Sequence, residues 1–192
     1  MTRSAIMLTA IAVLAGCSGQ PVASNVSANF DGSAAAGEQG LSVAVRNDLA
    51  ELRTVTAPFH EFDQAKAAGW STQITPCMTD PGGAGGMGFH FGKTALINGS
   101  VRVDQPQLLL FEPEQNGRMR LVAVEYIIPY TFVPRSAAPP VLFGQPFQQV
   151  DAFQLWGLHV WAWKNNPSGL FAPWNPVVTC ANTTAQMSMS HN

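Results

Sequence analysis

Two histidines and one glutamate stand where side chains of those types could meet and do chemistry. His90 lies in the strand-like run after Gly86, His159 in the run Gln154 to Lys164, and Glu125 in the middle of the apolar run Met119 to Ile128. Period-2 alternation predicts that Glu125 shares a face with Leu121, Ala123 and Ile127. An ionised carboxylate on such a face is expensive unless a cation or several donors meet it. If the strands bring His90, Glu125 and His159 to one face, the result is two imidazoles and a carboxylate with open coordination positions. That donor set suits a first-row transition metal such as iron, zinc or manganese. The same side chains also make a metal-free hydrogen-bonded cluster, in which Glu125 holds one histidine in a fixed tautomer. No HxH or HExxH spacing decides between them. Three functions are compatible with the trio: a ligand- or metal-binding module, a metal-dependent enzyme, and an architectural or partner-binding protein.

Other chemistries are excluded. The stretch GMGFHFGKT, Gly86 to Thr94, has Met87 where a phosphate-binding loop needs its first glycine. No GxSxG elbow occurs. Lys and Arg number 10 against 12 Asp and Glu, a net charge of -2 with no basic patch, which argues against nucleic acid, where phosphates must be neutralised. Trp156, Trp161, Trp163, Phe171 and Trp174 crowd one stretch, a set that if exposed would stack on sugar rings or a hydrophobic ligand; they read as core, with Trp174 the exception beside Pro173 and Asn175.

The chain has 3 cysteines. The first, Cys17, follows one basic residue, Arg3, and the short apolar run Ala5 to Ala15, which has the proportions of a signal-peptide core rather than the roughly 20 residues of a spanning helix. The run ends in Leu14, Ala15, Gly16 and Cys17, and this LAGC resembles the lipobox of bacterial lipoproteins. The resemblance implies cleavage after residue 16, acylation of Cys17 and a lipid-anchored place in the cell envelope. Ser18 in place of Asp implies the outer membrane, facing the periplasm, if the host is Gram-negative. Cys77 and Cys180 remain, and an oxidising compartment pairs them.

Side chains so far apart in sequence can meet only if the intervening elements bring them together. Residues 17–40 are rich in Ser, Ala, Gly and Asn and read as a flexible tether. Leu41, Val45, Leu49 and Leu52 recur at helical spacing and predict a helix to about Val55. A second short helix is expected with Thr56 as its cap, Pro58 in its first turn and Gly69 as its stop. The sheet is expected to begin after the glycine-rich loop Pro81 to Gly88. Gln107 to Glu112 and Met119 to Ile128 form a hairpin through Asn116-Gly117. Pro129 to Pro146 reads as a covering loop. Gln154 to Lys164 alternates Trp156, Leu158, Val160 and Ala162 against Leu155, His159, Trp161 and Trp163. The fold class is α+β: two short helices packed on a mainly antiparallel sheet able to curl toward a barrel, with one disulfide. Residues 41–182 form the single globular domain, and 183–192 read as a frayed polar tail, although its Met187, Met189 and His191 carry copper-friendly atoms.

The segments GGMGFHF, LLLFEP, LVAVEY, LFGQPF and LHVWAWKNNPSGLFAPWNPVVTC, taken in order, resemble an uncharacterised family of bacterial exported proteins. Its members carry a GMGYHYVN-type element, a VEY strand and an LHVWxWxxNPxGxFxxWNPxVxC end. The likeness covers Phe59 to Cys180 and implies a fold without a mechanism. Lys93 stands where that family often has Asn, and Gln107 where it often has Glu.

Overall fold

The computed structural model describes Glu38 and residues 40–183. The expected signal segment, Cys17, nearly all of the expected tether and the chain beyond Thr183 lie outside the described residues. Helix α1 spans Val43–Thr56, capped by Ser42, whose hydroxyl accepts from the Val45 N–H. It buries Leu49 and Leu52 completely, while Arg53 pairs with Glu38 and donates to the Ala162 carbonyl. The expected cap role of Thr56 is not observed. The chain runs from α1 straight into a 3-10 turn, Ala57–His60, with Thr56 still in helical geometry, so its hydroxyl bonds back to the Leu52 carbonyl and accepts from Trp163 Nε1. Helix α2, Phe62–Ala67, follows, and the chain turns away at Gly69 with φ +108°.

The sheet starts earlier than the sequence predicts, with strand β1 at Thr72–Thr79, ahead of the glycine-rich loop. After it come β2 Gly86–Gly92, β3 Leu108–Pro113, β4 Met119–Pro129, β5 Val141–Leu142, β6 Gln145–Pro146, β7 Gln148–Val150 and β8 Leu155–Val160. The main sheet has the order β1-β2-β3-β4-β8-β7, antiparallel throughout, and curls into a half-barrel. The fold is α+β with the helices on one face. β5 and β6 form a small separate hairpin inside the proline-rich stretch, and β7 is a short edge strand on which no sequence signal fell.

One face of the sheet packs on the helices. Phe89, Phe91, Leu109, Phe111, Val124, Tyr126, Trp156, Leu158 and Val160 meet Leu49, Leu52, Ala65 and Trp70 there. The other face carries Leu108, Leu110, Ala123, Ile127, Trp161 and Val178. Two alternations break. Leu110 pairs with Ala123 but Phe111 with Leu121, so Val122 is a bulge and Leu121 turns to the helical face, away from Glu125. β8 ends at Val160, and the Val122 carbonyl accepts from the Trp163 and Lys164 N–H groups. Trp163 therefore joins the helical face rather than following His159 and Trp161. Trp174 is only partly buried.

The Cys77–Cys180 disulfide is formed, with Cα atoms 5.7 Å apart. It ties the C-terminal segment to β1, and the bridge between Gly86 and Asn175 ties the same segment to β2. Among the described residues no helix is long and apolar enough to cross a membrane.

Candidate metal centre

His90, Glu125 and His159 come together in the fold. Glu125 on β4 stands directly across from His159 on β8. His90 on β2 is opposite Leu110 of β3, whose other partner is Ala123, so His90 lies two strands and one same-face step from Glu125. The curl of the sheet and the length of the glutamate close that gap. His90 Nε2 is 3.5 Å from Glu125 Oε2, and His159 Nε2 is 3.8 Å from Glu125 Oε1. One ligand atom from each residue falls within 4.8 Å of the others. All three residues are buried: His90 is 3% exposed, Glu125 6% and His159 8%.

Local sequence explains how these side chains fit. Gly88 adopts φ +86°, and a Cβ there would lie 2.4 Å from the Phe111 carbonyl oxygen, so only glycine lets β2 approach β3 two residues before His90. Gly157 makes room for the carboxylate, since a Cβ on it would come within 2.9 Å of Glu125 Oε1.

Burial sets the protonation states. It pushes the Glu125 carboxyl up to about 8 and brings His159 down to about 4. His90 falls to about 3, first through burial and then through the neighbouring His159. Around neutral pH both rings are neutral and the carboxyl is mostly protonated, so these contacts are not ion pairs. A charge left here without a partner would be the more expensive state.

Two details bear on what the cluster can hold. Ligand atoms about 2.1 Å from a common tetrahedral zinc stand about 3.4 Å apart. The two contacts, 3.5 and 3.8 Å, reach different oxygens of the carboxylate, and the set as a whole lies within 4.8 Å, so the side chains would have to draw in to hold an ion. His159 Nε2 is buried with no hydrogen-bond partner, although buried ring nitrogens are ordinarily satisfied. On His90 the nitrogen turned away from the carboxylate, Nδ1, lies 2.7 Å from Thr75 Oγ1.

Thr75 lies in β1, ahead of where the sequence places the start of the sheet, and Pro76 beside it masks the strand. Sequence reasoning also passed over a second buried carboxylate. Glu112 accepts from Lys164 Nζ and from the Thr179 N–H, across separations of 52 and 67 residues that no spacing rule could flag. Gln107 is structural, since its amide donates to the Leu96 and Ser100 carbonyls and its oxygen accepts from the Ile127 N–H. A cleft of about 320 Å³ lined by Phe62, Lys66, Phe89 and Phe91 lies on the helical side, across the sheet from the trio. Comparison of the chain with known protein families, with curated proteins and with solved structures finds no match.

Proposed function

We propose that this chain is an exported lipoprotein whose half-barrel holds a first-row transition metal through His90, Glu125 and His159. The supporting observation is the buried, partnerless His159 Nε2, which faces the same carboxylate as His90 Nε2. A divalent ion between the three would satisfy that nitrogen and compensate an ionised Glu125. The set contains no thiolate, which favours zinc or a borderline metal over the soft ions that cysteine selects. Burial of all three ligands favours a module that retains the ion over an enzyme that turns over substrate.

Elemental analysis tests this reading. Protein prepared without chelator, or reconstituted with zinc, should carry about one equivalent. His90→Ala and His159→Ala should each abolish it, because losing one of three protein ligands opens the site. Wild-type protein that takes up no metal would leave the trio as an architectural cluster, and full uptake by both variants would place the ion elsewhere.

The second part of the proposal is the anchor. The LAGC at Leu14 to Cys17 supports lipidation, with the membrane as partner and the periplasm as the expected compartment. Cells producing Cys17→Ser should accumulate an uncleaved precursor that incorporates no labelled fatty acid. A wild-type protein free of label in the same cells would overturn it.

A further inference from the structure

We propose that Thr75 is the positioning residue of the candidate metal centre: its hydroxyl accepts a hydrogen bond from His90 Nδ1 and fixes the tautomer whose Nε2 faces Glu125. The inference rests on the metal reading above for its functional meaning. Thr75 stands directly across from His90 in the β1–β2 ladder, is buried, and places Oγ1 2.7 Å from Nδ1. A hydroxyl can donate or accept, and a neutral imidazole carries one proton, so the contact has two forms. When Thr75 donates, the ring proton sits on Nε2 and points at the carboxylate, and no lone pair is left for an ion. When Thr75 accepts, Nδ1 holds the proton and the Nε2 lone pair points into the space between Glu125 and His159. Only the second form can ligate. Histidine ligands ordinarily give their other N–H to such an outer partner, which orients the ring and raises its basicity.

The placement explains an otherwise odd choice of strand. β1 is an edge strand interrupted by Pro76 and by register shifts on both sides of Thr75. Those irregularities do not displace Thr75 from the position opposite His90, and its face of the sheet is the one that carries the trio. On His159 the Nε2 that faces the carboxylate has no hydrogen-bond partner. His90 is oriented in advance, and His159 keeps a nitrogen that an ion would satisfy.

The test uses the mature chain, Thr75→Val and Thr75→Ser. Long-range ¹H–¹⁵N correlation on metal-free protein reads the His90 tautomer directly. Wild type and Thr75→Ser should show Nδ1 protonated, and Thr75→Val should lose that preference. Zinc affinity, measured by competition with a chromophoric chelator, should fall 10- to 100-fold in Thr75→Val and recover in Thr75→Ser. A wild-type His90 protonated on Nε2 overturns the proposal outright, as does a Thr75→Val variant with unchanged tautomer and affinity. Wild type that shows the Nδ1–H tautomer yet binds no zinc leaves the role of Thr75 standing and overturns the metal reading, so the two failures are told apart.

Discussion

Glu125 is an anomaly in the sequence itself, because a carboxylate in the apolar strand LVAVEY has little solvent to turn to. What the sequence could not convey is its charge. The expectation of an ionised group in need of a cation gives way, in the metal-free protein, to a carboxyl that burial holds up to about 8 against an ordinary value of 4.5. The consequence for stability has a definite sign. Between those two values the unfolded chain has given up the Glu125 proton and the folded chain keeps it, so this group's contribution favours folding progressively less as pH rises through that window. Glu125→Gln has no proton to lose there. In the presence of chelator the variant should be at least as stable as wild type at pH 7 and should show a flatter dependence of stability on pH between about 6.5 and 8. Below about 6.5, where the buried neutral His90 and His159 make stability rise with pH, losing the opposing Glu125 contribution should steepen that rise. Its zinc uptake should nevertheless be lost, since an amide oxygen is a poor substitute for a carboxylate ligand. Denaturant midpoints across that pH range, alongside zinc stoichiometry, check both halves. A marked loss of stability at pH 7 would show that the carboxylate is ionised and paired even without metal.

The elements that were legible are those whose pattern is local. The period of Leu41, Val45, Leu49 and Leu52 marks α1, and Asn116-Gly117 between two apolar runs marks the β3–β4 hairpin, as the structure shows. The failures share a cause, which is dependence on a partner far along the chain. β1 carries Pro76, a residue that argues against a strand until the strand is known to lie at the sheet edge, where a missing N–H is tolerated. The bulge at Val122 cannot be seen in LVAVEY. It becomes intelligible once its carbonyl is found accepting from Trp163 and Lys164, where the chain leaves β8. That insertion moves Leu121 to the helical face, and the end of β8 at Val160 does the same for Trp163, while Ala123, Glu125 and Ile127 stay in phase with His159. Alternation was thus reliable over the two or three residues around each member of the trio and unreliable one bulge further on. This is why the three side chains could be grouped from strands whose ends were misplaced.

At the scale of the molecule, the sheet is an open half-barrel, and an open sheet leaves its second face to be covered by something other than helices. The C-terminal segment does part of that work. Val178 joins the apolar cluster beside Leu108, Leu110 and Trp161, Asn175 pairs with Gly86, and the Thr179 N–H reaches the buried Glu112 carboxylate. None of these contacts is large, and all are made by a segment with no regular structure beyond an isolated bridge. The Cys77–Cys180 disulfide changes that balance by closing a separation of 103 residues, which in the chain-entropy description stabilises the native state by up to about 4.7 kcal/mol through the unfolded ensemble. Replacing both cysteines by alanine should therefore lower stability by about 2–5 kcal/mol, read as a fall in the denaturant midpoint with the slope compared alongside. Loss of the link should also increase hydrogen exchange across residues 175–180 before β3 and β4 are affected, because the segment then rests on a few contacts while the central strands keep theirs. An unchanged midpoint in the double variant would mean that the bond constrains nothing the remaining contacts do not already hold. Equal exchange in the segment and the central strands would show instead that sheet and cover unfold as one unit, with the disulfide acting on the whole domain.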